Sequence, residues 1–264
     1  MSIFKRDFLF LLIAISLPGL ALSCSGGKHD APAAAAKVDA DQVLQQMSRK
    51  LAAANQLSFK AVRKLDAGLI EGIDAPENAE LVVSVARPSK IVAKSSSENG
   101  VRYFYADGEK VSLFDETMKF YSTVPITGTI DDVAIALDEK YGFTPPLIEF
   151  FVSDAYKKLS PQFESKTLKG QESINGVDCY HVSIVGKVAD SELWVSSKDQ
   201  LPCRLIATFK DRENKPTLHV DFSDWNLDPK LDEKLFAFAP PKDADKIDMV
   251  TIEEAKQAKP DAQQ

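Results

Sequence analysis

The sequence predicts an α+β domain built on a strongly curved antiparallel sheet with covering helices. Three observations carry this. Short alternating runs follow one another through links too short for crossovers, so neighbouring strands are antiparallel. Two helical patterns interrupt the strands, one before the first and one midway. A sheet of about ten strands must then curl to hide its apolar face, and helices at the start and middle can cover the concave side.

Residues 1–23 read as a secretory leader. Lys5 and Arg6 are positive, Phe8 to Leu17 is apolar, and small residues precede Cys24. The apolar run is too short, and too soon broken by Pro18 and Gly19, to make a comfortable membrane span. Ala21-Leu22-Ser23-Cys24 resembles the bacterial lipobox, whose cysteine takes a diacylglycerol group; Ala21 stands where that motif usually has Leu. The resemblance implies lipidation at Cys24 and attachment to a membrane through lipid, because two or more acyl chains anchor stably where one does not. Ser25 after the cysteine resembles an outer-membrane address, with the folded domain facing the periplasm. The alternative is an ordinary leader cleaved nearby. Residues 24–39 are rich in Gly, Pro and Ala and read as a lipidated flexible tether.

Residues 40–250 form a single curved-sheet domain on this reading. Val43, Leu44, Met47 and Leu51 recur at helical spacing, with Asp41 to cap or precede the first turn, so a helix spans about 40–55. LSFKAVRKLD alternates as a strand. ENAELVVSVARPSKIVAKSSS reads as two strands broken near Arg87-Pro88. VRYFYADGEKVSLFDETMKFYSTVP reads as a three-stranded meander turning at Asp107-Gly108 and Asp115-Glu116. Thr129 caps a helix over IDDVAIALDEKY that Gly142 ends. Pro145-Pro146 opens a second short helix carrying Leu147, Ile148, Phe150 and Phe151. Asn175-Gly176 turns into DCYHVSIVG; SELWVSS, PCRLIATFK and the alternation Leu218, Val220, Phe222 continue the sheet, and KLFAFAPP reads as a last short strand. Residues 251–264 are a charged, flexible tail.

Composition narrows the function. The chain carries a net charge of −7, and removing Lys5, Arg6 and Asp7 with the leader leaves about −8. An acidic surface argues against nucleic acid and against broad adsorption to anionic lipid. Of three cysteines, lipidation of Cys24 leaves Cys179 and Cys203. Two thiols in an oxidising compartment point to one disulfide. Two buried free thiols are the alternative, since first and third strands of a flat meander lie about 10 Å apart.

The longer phrases carry a family resemblance. RYFYADGEKVSLFDETMKFYSTVPITGTIDDVAIALDEKYG, GQESINGVDCYHVSI, LWVSSKDQLPCRLIATFKD and FSDWNLDPKLDEKLFAFAPP together resemble a family of predicted periplasmic proteins similar to the Lol-type lipoprotein carriers. The resemblance covers about 40–250. It implies an incomplete β-barrel plugged by helices, whose hollow holds acyl chains in related families. A tethered protein of this kind would act as an acceptor, a local chaperone or a sensor more readily than as a shuttle.

No enzyme signature is present: there is no G-x-S-x-G, P-loop or H-E-x-x-H pattern. His181 and His219 lie on alternating strands without a nameable catalytic partner, and His219 with Asp221 makes too few ligands for a metal. No cofactor and no metal is implied. The candidate lining of a hydrophobic ligand site is Phe104, Phe114, Phe120, Leu147, Phe150 and Phe151; ordinary core is the competing reading. The expected function is binding of a lipid, or of an acylated or hydrophobic ligand such as a lipoprotein, in the hollow. The alternative is an envelope scaffold or sensor that contacts a protein partner. TPPLIEFFV is the expected lid, with one phenylalanine packed into the sheet and the other at an opening. Cys24→Ser should abolish incorporation of a fatty-acid analogue in metabolic labelling; undiminished labelling would refute lipidation there.

Overall fold

Strand alternation builds the scaffold. The computed structural model describes residues 38–69, 77–143, 145 and 147–257; the leader, Cys24 and most of the expected tether lie outside them. The first meander is β1 (Gln56–Leu65), β2 (Glu77–Ala86), β3 (Lys90–Ser97), β4 (Gly100–Ala106), β5 (Lys110–Asp115) and β6 (Phe120–Pro125). The second is β7 (Phe163–Ile174), β8 (Val177–Gly186), β9 (Ala189–Ser196), β10 (Pro202–Phe209) and β11 (Thr217–Asn226). Antiparallel pairing of β1 with β11 joins them. With the two-residue β12 (Asp245–Lys246) the sheet has 12 strands in the order β12-β6-β5-β4-β3-β2-β1-β11-β10-β9-β8-β7. The strand sequence and curved, unclosed sheet agree with the sequence reading.

Helices cover the concave face. α1 (Ala40–Ala53) lays Val43, Leu44, Met47 and Leu51 on Val182, Ile184, Leu193 and Val195 of the second meander. Asp39, rather than Asp41, is its cap, in a reciprocal box with Gln42. That leaves Asp41 free to pair with Lys166 of β7 at 2.9 Å and to accept from the Tyr156 hydroxyl. α2 (Ile130–Tyr141) starts at the Thr129–Asp132 box and ends at left-handed Gly142 (φ 64°). Its Ile130, Val133 and Leu137 pack on Leu57, Phe59, Leu81, Val83 and Val85 of the first meander.

Three elements depart from expectation. The segment after Pro145 is a single 3-10 turn, Ile148–Phe150, because Leu147 takes a left-handed conformation (φ 68°) that no α-helix continues from; Pro146 lies outside the described residues. α3 (Ala155–Leu159) follows, capped by Asp154. KLFAFAPP is not a strand: Glu233–Phe236 forms a 3-10 turn, and the chain then crosses the convex face. There Phe238 packs against Tyr105, Phe114 and Tyr121. The tail then pairs β12 in parallel with β6, and α4 (Ile252–Gln257) sets Ile252 near Gly142 at the end of α2.

Cys179 on β8 and Cys203 on β10 are joined as a disulfide. They do flank β9, but their Cα atoms are 7.1 Å apart rather than the flat-sheet separation. A register shift between Pro202 and Arg204 places Cys203 in a bulge, which draws it over the strand between. The closed loop stabilises the fold by roughly 3 kcal/mol on the chain-entropy account. Alkylation without reductant should leave both thiols unlabelled; quantitative labelling of both would show free thiols.

Candidate functional site

The concave face is apolar over most of its length, and aromatic rings fill its centre. Phe59 stacks on Trp225 at 4.4 Å and meets Phe151 at 5.6 Å and Phe222 at 5.8 Å. Trp225 reaches this face through a local irregularity. Asp224 adopts φ 54°, the β1–β11 register shifts between Ser58 and Lys60, and Phe222 and Trp225 come to share one side despite odd spacing. The indole N–H donates to the Pro202 carbonyl at 2.9 Å, satisfying its one polar atom.

Residues 147–151 plug this surface. Leu147, Ile148 and Phe151 are buried in the same cluster as Phe59, and Phe104 lies in it too. Phe150 is half-buried, meets Phe222 edge-on at 5.3 Å, and bridges the clusters under α1 and α2. One ring is thus wholly enclosed and its neighbour sits at the boundary.

Two candidates belong elsewhere. Phe114 alternates with inward Val111 and Leu113, so it faces the convex side under Phe238. Phe120 stands opposite Asp115 at the far end of β6 and is 37% exposed, beyond the reach of the helices.

One arginine holds the plug. Arg87 follows β2 at a cis peptide bond with Pro88. Its side chain donates to the carbonyls of Ala54 (3.1 Å) and Leu51 (3.3 Å) at the end of α1, and to that of Phe151. It thereby adds a charged donor to carbonyls at the end of α1, where Leu51 O also accepts from Ala54 N–H at 3.4 Å. Burial draws the guanidinium pKa down, and nearby Asp131 opposes this. Asp131 in turn accepts from Ser153 N (2.8 Å) and Oγ (2.6 Å) and pairs with Lys158 at 2.7 Å. A cleft of about 180 Å³ opens here, lined by Ala52, Arg87, Pro88, Ile130, Asp131 and Ser153.

Glu149 sits within the 3-10 turn, and burial raises its carboxyl pKa; only its own backbone amide opposes the shift. The residue as a whole is half-buried.

The convex face carries the two domain histidines. His181 stacks on Trp194 at 4.3 Å, with its ring nitrogens 2.8 Å from Glu172 and 2.6 Å from Glu192. His219 lies 3.2 Å from Asp221. Among the described residues no group of three or more metal-ligating side chains is placed to hold an ion, and no helix is long and apolar enough to cross a membrane.

Residues 40–250 match one family model. The chain belongs to the family described as Predicted periplasmic protein (DUF2092). That description agrees with the periplasmic compartment expected from the sequence. No curated protein matches the chain. Among solved structures the chain is similar to an uncharacterized conserved protein from Thermus thermophilus, at 13% identity and TM-score 0.48, covering 78% of this chain and 98% of that one. It is also similar to a LolA superfamily protein from Nitrosomonas europaea, at 12% identity and TM-score 0.38, covering 76% and 99%. A third is the lipoprotein LppX from Mycobacterium tuberculosis, at 11% identity and TM-score 0.43, covering 72% and 98%.

Phe59, Phe222 and Trp225 escaped the sequence-based list because strand alternation marks them only as core. Arg87 and Glu149 escaped it because a charged residue in a turn reads as solvated. The raised pKa of Glu149 gives a test. An acid whose folded pKa lies above its unfolded value stabilises the fold below that unfolded value, about pH 4, and loses this as pH rises through the folded pKa. Glu149→Gln should therefore raise the melting temperature at pH 7 and leave it unchanged below about pH 4. Equal shifts at both pH values would contradict this assignment.

Proposed function

We propose that this DUF2092 protein binds a lipid or another hydrophobic ligand along the concave face of its sheet, opening at residues 147–151. The observation that carries the reading is how that face is closed. A regular helix would cover it with satisfied backbone and a continuous stripe. Here the cover beside α2 is one 3-10 turn, with a left-handed residue at its start and a carboxyl within it whose pKa burial raises. A single arginine ties its end down. Segments with few regular backbone hydrogen bonds are the ones drawn from the low-stability end of a fold. Withdrawal of the turn would expose Phe59, Phe222 and Trp225, an aromatic floor suited to acyl chains.

The proposal includes residues 1–23 as leader, lipid on Cys24 and an outer-membrane anchor on a short tether, which would hold the domain near a bilayer. No catalytic constellation enters the reading. A second reading, an envelope scaffold or sensor, is favoured by one fact: the concave core is tightly enclosed, with Leu57, Val133 and Leu137 at 0% exposure. On that reading the turn is ordinary core.

Arg87→Ala should separate the two. If the turn is a door, the variant takes up a fluorescent fatty acid faster and more tightly than wild type, and native mass spectrometry of detergent-free wild type finds co-purified lipid. A wild type that carries no lipid and binds no dye, with a variant that is only less stable, would establish the scaffold.

A further inference from the structure

Along β1 the inward positions run Leu57, Phe59, Ala61 and then Arg63, all buried. The last of these places a guanidinium inside an otherwise apolar face, about 20 Å along the strand from Leu57 and at the end away from Arg87. Its side chain is 7% exposed and that of its ion-pair partner Glu77 is 4% exposed. Glu77 also accepts from Ser97 Oγ at 3.3 Å and lies 3.6 Å from Arg102 Nη1. Arg102 donates from Nε to Asp115 at 3.1 Å and is half in solvent. Among the described residues, Arg63 Nε is the one buried side-chain polar atom with no hydrogen-bond partner.

Buried donors are rarely left unmade, because the desolvation cost is carried without return. Charge is already balanced here: two guanidiniums face two carboxylates. An anion brought beside Glu77 would add an uncompensated buried charge. The site lacks a neutral acceptor, and it sits at the polar end of an apolar strip. That is the pattern of an amphiphile whose chain joins its head through an uncharged carbonyl.

We propose that Arg63 Nε–H donates to the ester carbonyl of a glycerolipid whose acyl chain lies along the concave face once residues 147–151 withdraw. The inference rests on the ligand-binding reading above and adds the class of ligand and its polar anchor. Arg63 and Glu77 then hold each other in place, and the free N–H reads the ester.

The test uses a monoacylglycerol and its ether analogue, which differ only in the carbonyl oxygen. Each displaces a fluorescent fatty acid from the purified protein. Wild type should prefer the ester by about tenfold, the worth of one hydrogen bond from a charged donor. Arg63→Lys keeps a cation opposite Glu77 and removes the Nε donor, so it should bind ester and ether equally. The double variant Arg63→Met, Glu77→Leu removes both charges together, guards against misfolding from a lone buried charge, and should also bind the two equally. Equal binding by wild type, or a preference that survives in both variants, overturns the proposal. An Arg63-dependent preference for free fatty acid over the ester overturns the neutral acceptor. If wild type binds neither probe, it is the ligand-binding reading itself that fails.

Discussion

Pairing of β1 with β11 is the contact on which the rest depends. Its ladder runs from Ser58 opposite Asn226 to Leu65 opposite Leu218 and turns two separate meanders into one sheet. Without it, Phe59 would have no Phe222 or Trp225 to pack on, and α1 and α2 would cover different objects. The ladder is also the most non-local in the sheet, so loop-closure entropy opposes it most. The aromatic packing built directly on it offsets that cost where it is incurred. The bulge at Asp224, with Lys60 paired to it at 2.9 Å, adds the second ring from β11 to the same side.

The concave face is covered by two regular helices and one 3-10 turn. α1 and α2 are capped at their starts, amphipathic and packed on separate halves. Residues 147–151 lack a side-chain cap and make only a single 3-10 turn, although Leu147, Ile148 and Phe151 are buried in the cluster under α2, and Phe150 lies where the halves meet. Arg87 joins the carbonyls of Leu51 and Ala54 at the end of α1 and that of Phe151 in one three-way junction, so α1 and the turn share a fastening. Arg63 marks the opposite pole of the same surface, and the apolar strip between the two arginines gives the face a direction.

Much of this architecture was legible in the sequence. Alternation and turn chemistry located the strands from Gln56 to Pro125, and Thr129 and Gly142 bounded α2 because caps are local. The cysteine count pointed to the disulfide, but its geometry depended on a bulge at Cys203 that no local pattern announces. The helix expected after Pro145 is replaced by a 3-10 turn behind a left-handed Leu147, a conformation that the residue type does not announce. Phe114 and Phe120 looked equivalent to Phe104 in composition. Their separation onto a covered convex face and an exposed end depends on register and on the path of residues far downstream. Arg63 reads as an ordinary surface residue among Lys60 and Lys64 until its side of the strand is known.

The tail that crosses the convex face has a bearing on biogenesis. β6 would otherwise end the sheet as an open edge, and Asp245–Lys246 occupies part of that edge only after the chain has run from β11 beneath the outer surface. In a chain threaded across a membrane from its N-terminus, the first meander emerges long before either β11 or this closing stretch. During that interval it presents unpaired strand edges, which invite association with other chains. The fold thus completes its own edge last, so a holding factor that shields nascent chains would matter most between emergence of β6 and arrival of residue 246.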